Sequence, residues 1–166
     1  MSLSFSIAQA AYCGELQPVV GWLQKGGHVD ALDENGLGLL HVAVSNRQLR
    51  MAKELLKRGA SVDLRCAEGS SALICAVSNG QHSTVRLLLE HKAHVDLVHE
   101  GAQGMTALMI AAAGGETECA QELLQRGASV NLRCTDGCTA LMLAAANSQH
   151  ATLRLLLMRC LRPRSS

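Results

Sequence analysis

The chain has 166 residues and a net charge of +1; 48% of its residues are hydrophobic, but only Phe5, Tyr12 and Trp22 are aromatic. The charge argues against a general polyanion-binding surface, and no apolar run reaches the roughly 18 residues of a membrane span. Seven cysteines, an odd number scattered over a helical pattern, are expected as reduced thiols, and no lysine or arginine precedes Lys25 to open a signal peptide. A cytosolic or nuclear protein is the expectation.

The first unit, about residues 2–32, has Ile7, Ala8, Ala10 and Ala11 at helical spacing, a turn at Gly14, and Pro18 near the start of a second helix with Val19, Val20, Trp22 and Leu23 on its apolar side. It lacks the start seen in later units and reads as a cap. The second unit, about 33–65, opens on the turn composition Asp33-Glu34-Asn35-Gly36. Arg47 stands where later units have Gly80 and Gly115, which predicts the most strained helix–helix turn at Arg47. The third unit spans about 66–98.

The fourth unit, about 99–133, shows the pattern most fully. Thr106 is placed to cap a helix whose narrow face is Leu108, Ala111 and Ala112, and Gly114-Gly115 breaks that helix. Cys119, Ala120, Leu123 and Leu124 face inward from a second helix, which Gly127 ends. Two helices this short cannot bury both apolar faces against each other alone. Ahead of them, His99 to Gln103 holds a two-residue insertion, expected as an exposed loop that is either slack or a partner contact. The fifth unit, about 134–161, ends without a polar covering helix and leaves Leu153, Leu156 and Leu157 with no evident cover. Residues 162–166 are a short basic tail, with too few charges to signal nucleic acid. The chain is expected to continue, to be a shortened form, or to pair through this end.

Gly36, Gly69, Gly104 and Gly137 recur at steps of 33, 35 and 33 residues, and Leu55-Leu56, Leu88-Leu89, Leu123-Leu124 and Leu156-Leu157 keep the same steps. Gly59-Ala60, Lys92-Ala93 and Gly127-Ala128 follow, then Val62-Asp63, Val95-Asp96 and Val130-Asn131. A period of about 33 residues built from a turn and two helices resembles the ankyrin repeat, over about residues 5–158. The segments 59–66 and 127–134, and 79–89 and 147–157, are near copies at an offset of 68 residues, which points to duplication of a two-unit block.

The resemblance implies an all-α ankyrin-repeat solenoid of stacked helix–turn–helix units joined by β-hairpin-like loops, forming a single domain over residues 1–161. It implies a non-catalytic scaffold or adaptor that binds a protein partner through its concave face and loop tips. No cofactor, metal, nucleic acid or membrane is implied. Carried over by register, the contact residues are Glu34, Asn35, Leu37, Arg65, Glu68, Gln103, Met105, Arg133 and Asp136 at the tips, with Ala67, Ser70, Ala102, Thr135 and Cys138 beside them. Asn46, Asn79 and Asn147 form a row of amides at the ends of the inner helices. Arg65 and Arg133 are the expected energetic anchors, and Leu37 and Met105 the expected exposed apolar contacts. His41, the one copy of a family histidine, is expected to be structural. Asn131 lies in a segment similar to those that asparaginyl hydroxylases modify. The alternative is a structural or assembly module that associates through the open C-terminal unit. Cys134 and Cys138 are four apart with no second pair, a weak basis for zinc, and no Cys–His constellation suggests an enzyme.

Overall fold

The computed structural model of the chain describes residues 3–101 and 103–161; the expected basic tail at 162–166 and the tip residue Ala102 lie outside them. The helices form five successive pairs: α1 (Phe5–Cys13) and α2 (Leu16–Gln24), α3 (Leu39–Ser45) and α4 (Leu49–Lys57), α5 (Ala72–Ser78) and α6 (His82–Glu90), α7 (Ala107–Gly114) and α8 (Thr117–Gln125), α9 (Ala140–Ala146) and α10 (His150–Leu161). Two short strands, β1 (Val98–His99) and β2 (Met105–Thr106), pair antiparallel between the third and fourth pairs. This is the all-α solenoid that the repeat pattern predicts.

Helix starts follow the residues that stand there. Ser71, Thr106 and Thr139 have extended backbones, and their hydroxyls accept from the N–H groups of Ile74, Met109 and Met142, each at 3.4 Å. These contacts satisfy donors that the first helical turn leaves unpaired. Gly38 holds the same position ahead of α3 and brings no side-chain cap. From the second pair onward the first helices have seven or eight residues and their partners nine or more. Ala43, Ala76, Ala111 and Ala144 are fully buried on them, so neighbouring first helices approach closely and this side of the stack is the inner one.

Leu55, Leu88, Leu123 and Leu156 are each no more than 1% exposed, and they carry the core from unit to unit. Leu156 therefore departs from the expectation of an uncovered end, because α10 packs it against α8 and α9. Leu153 is half-buried. Exposure is concentrated in Met142 (49%), Leu157 (41%), Met158 (59%) and Leu161 (80%).

Polar bonds lace successive units together. The Asp30 carboxylate accepts from the Ser61 N–H (2.8 Å) and hydroxyl (2.5 Å), Asp63 accepts from the His94 N–H (2.9 Å), and Asp96 accepts from the Ser129 N–H (2.9 Å) and hydroxyl (2.6 Å). Asn131 occupies the corresponding position one unit later and is exposed. Gln48 and Gln81 donate to the carbonyls of Tyr12 (3.0 Å) and Val44 (2.7 Å) in the preceding units.

The inserted segment lengthens a hairpin. The second and third units open on single bridges, Leu32 to Gly38 and Arg65 to Ser71, whereas β1 and β2 pair Val98 with Thr106 and His99 with Met105. The Gly101 N–H donates to His99 Nδ1 at 3.0 Å and the Glu100 N–H to the Gly69 carbonyl at 3.3 Å. The first bond is internal to the segment, and the second ties it to the hairpin before it rather than leaving it slack. A side chain on Gly69 (φ 74°) would meet the Glu100 Cβ at 2.7 Å, so the two hairpins touch backbone to backbone.

The turn between paired helices needs a left-handed residue. Gly80 (φ 62°) and Gly115 (φ 75°) supply it cheaply, but Arg47 (φ 58°) and Ser148 (φ 57°) do not. Arg47 is thus not alone in its strain, and its guanidinium offsets part of the cost by donating to the Asn79 carbonyl at 2.8 Å. Ser148→Gly is therefore expected to stabilise the chain by about 0.5–1 kcal/mol in urea unfolding, and Arg47→Gly to gain less because it discards that bond. A larger gain at Arg47 would show the bond to be worthless.

Candidate interaction surface

The hairpin tips project along one edge of the stack and are joined tip to tip. The Ala67 N–H donates to the Gly36 carbonyl (3.2 Å), Glu100 to Gly69 (3.3 Å) and Thr135 to Gln103 (2.9 Å), with the Thr135 hydroxyl adding a bond to the same Gln103 carbonyl (3.1 Å). Each tip is therefore fixed relative to the next. Along this edge Glu34, Asn35, Glu68, Gln103 and Asp136 are exposed. Asn46, Asn79 and Asn147 are exposed as well, each just past the end of an inner helix. The amide of Asn46 turns back to donate to the Val42 carbonyl at 2.9 Å, so that member of the row is satisfied locally.

Other tip residues face elsewhere. Leu37 and Met105, expected as exposed apolar contacts, are half-buried against the core. Each lies on the inward-facing side of a hairpin next to a helix start, where apolar area leaves water. Ser70 is buried, and its carbonyl receives His41.

The two arginines differ from each other. The Arg65 guanidinium donates to the carbonyls of Gly69 (2.9 Å) and Val98 (2.8 Å) and lies 3.5 Å from Glu100, pinning its own hairpin to the next. Arg133 donates to the carbonyl of Gly137 (2.7 Å) within its own hairpin and is exposed. A guanidinium already bonded to two backbone carbonyls acts first as a clamp. Arg65→Ala is accordingly expected to cost about 1–2 kcal/mol in urea unfolding and Arg133→Ala less than about 0.5 kcal/mol; equal costs would remove the distinction.

The titratable groups inside the stack are structural. His41 is fully buried, with Nε2 bonded to the Ser70 carbonyl at 3.1 Å and Nδ1 without a partner. Nε2 must carry the proton to make that bond, and burial with no acceptor beside Nδ1 disfavours a second proton there. Burial holds its pKa below the ordinary histidine value, against the opposing pull of the Ser70 and Leu64 backbone. Burial also pushes the Cys119 thiol up to about 11, helped by the charges of Glu116 and Glu118, and raises Cys75. Neither is a thiolate nucleophile at neutral pH. Among the described residues, no three His, Cys, Asp or Glu side chains converge as metal ligands, and no helix is long and apolar enough to cross a membrane. When His41 unfolds it regains the ordinary affinity for a proton, so stability falls as pH drops below about 6.5, by at most ~1.4 kcal/mol per pH unit. Urea midpoints between pH 7.5 and 5 should show this slope, and His41→Asn should remove its share.

Two features escaped the sequence reading. On the outer side, Glu122 is 5% exposed between Arg86 Nε (3.3 Å), Arg126 Nε (3.2 Å) and His82 Nε2 (3.8 Å), beside a cavity of about 260 Å³. The Glu122–Arg126 spacing is visible in the sequence, but Glu54 has the same spacing to Arg58 and is far more exposed than Glu122. At the N-terminal end, a cavity of about 180 Å³ lies between α1 and the first hairpin, lined by Phe5, Tyr12, Asp33 and Glu34 among others. The signal there was two of the chain's three aromatics on one helix.

A family model described as ankyrin repeats, in three copies, matches residues 7–100 and 94–163. None of the curated proteins matches the chain. Repeats of this family are generally protein–protein interaction modules and typically non-catalytic.

Proposed function

The chain belongs to the ankyrin-repeat family, and on that ground we propose that it is a non-catalytic scaffold, cytosolic or nuclear, that binds a protein partner along its hairpin tips and inner-helix ends. The observation that carries this reading is the tip-to-tip bonding from Gly36 to Thr135. It holds Glu34, Asn35, Glu68, Gln103 and Asp136 outward on one edge, with Arg133 at its far end. Surface fixed in advance loses little entropy on binding, so more of each contact appears as affinity. The composition of the edge favours a partner with a polar, partly basic surface, since the exposed carboxylates of Glu34, Glu68, Glu100 and Asp136 outnumber its one exposed arginine, Arg133. Fold alone does not identify that partner.

A second reading is association through the last unit, favoured by Met142 of α9 and Leu157, Met158 and Leu161 of α10, large apolar side chains that all stand exposed. The two readings part in one experiment. Proximity labelling in cells with the wild-type chain and with Glu34→Arg/Glu68→Arg/Asp136→Arg should show a discrete set of proteins lost from the variant, while circular dichroism stays unchanged. An unchanged set would move the function to the C-terminal face, where sedimentation should then show a mass that rises with concentration and falls back in Met158→Glu/Leu161→Glu.

A further inference from the structure

The cavity beside α1 combines two chemistries that recognise the same kind of group. Phe5, Ala8, Gln9 and Tyr12 fall at i, i+3, i+4 and i+7 of one helix and so form a single stripe. Phe5 is 75% exposed and Tyr12 39%, which leaves both rings available at the mouth of the slot. Facing them, residues 33–35 of the first hairpin form the opposite wall.

That wall is acidic. Asp33 is only 9% exposed; its Oδ1 accepts from the N–H groups of Asn35 (2.9 Å) and Leu37 (2.8 Å), and its Oδ2 from the Tyr12 hydroxyl (3.3 Å). Glu34 stands exposed next to it. Neither carboxylate takes part in an ion pair among the described residues, and the lining residues include no lysine or arginine. Burial and the neighbouring Asp33 charge both raise the pKa of Tyr12, so its ring stays a neutral phenol that donates to Asp33.

We propose that this slot binds one cationic side chain, arginine or lysine, presented by an extended segment of the partner. The site selects the guest by exclusion. An anion meets two carboxylates, and an apolar side chain leaves them without a counter-charge. A cation finds aromatic side chains on one wall and negative charge on the other, with Leu3 and Ala8 in the lining for the stem beneath its charge. At about 180 Å³ the slot falls below the roughly 300–1,000 Å³ of sites that enclose a whole small ligand, a size suited to one anchoring side chain. The proposal deepens the scaffold reading and rests on it, because Glu34 belongs both to the slot and to the partner-facing edge.

The test is a two-dimensional NMR titration of the full chain, at low salt, with capped Gly-Ser-Arg-Ser-Gly, its lysine counterpart, and a control in which citrulline replaces arginine with the same shape and no charge. Saturable shifts at the amides of Tyr12, Asp33 and Asn35 are expected with both cationic peptides and not with citrulline. Glu34→Gln and Phe5→Ala, both changes at exposed positions, should each weaken binding about two- to fivefold. Equal response to citrulline, shifts confined to other surfaces, or no saturation at millimolar peptide would each overturn the slot. If the charge-reversed edge keeps all its cellular partners while the arginine peptide still binds the wild-type chain, the scaffold reading fails and the slot survives it as a peptide site.

Discussion

Ser61, His94 and Ser129 each hand a backbone N–H to an aspartate in the unit before them, and Ala67, Glu100 and Thr135 hand theirs to a carbonyl in the hairpin before them. A helix pair of 16 to 19 residues cannot complete such accounts alone, either for its polar backbone or for its apolar face. The fully buried Ala43, Ala76, Ala111 and Ala144 make the same demand in apolar form, since small residues bury themselves only when the next helix comes close. Stability in a stack of this kind lies largely at the interfaces between neighbouring units. Local geometry at the tips is thus a consequence of contacts made one unit away.

This dependence gives the exposed edge its character. Tip residues ride on hairpins whose backbones are bonded to each other, so their side chains can vary without disturbing the core. The inserted segment before Gly104 shows the tolerance. It adds residues, converts a single bridge into the β1–β2 ladder, and keeps the link from Glu100 to Gly69. Arg65 belongs to the framework side of the division and Arg133 to the display side, although they occupy matching positions in a duplicated block. Their difference arises because Val98 and Glu100 lie beside Arg65.

The period, the helix pairs, the capping role of Thr106 and the inward leucines were all legible in the chain, because each is set by spacing along one unit. What the pattern could not display was cross-unit geometry. Leu37 and Met105 look free in a turn sequence, yet the neighbouring helix start covers them. Leu156 looks uncovered until α10 packs on α8 and α9. Ser148 shares the left-handed strain of Arg47, but there the register that sets it opposite Gly80 in the duplicated block was enough to show it. The pairing of Tyr12 with Asp33 spans 21 residues and joins a helix to a hairpin, so it becomes visible only once the first unit meets the second. Glu122 is an ordinary helical acid by sequence, and only packing buries it.

Amide hydrogen exchange of the chain alone tests this account most directly. The N–H groups of Ser61, His94, Ser129 and Thr135 belong to exposed surface residues outside the helices. A chain held together by bonds between units should nevertheless protect them, with opening energies close to that of unfolding the units they join. Exchange at the rate of free surface amides would show that these bonds do not hold the units in register, and the exposed edge would lose the rigid framework on which its proposed function depends.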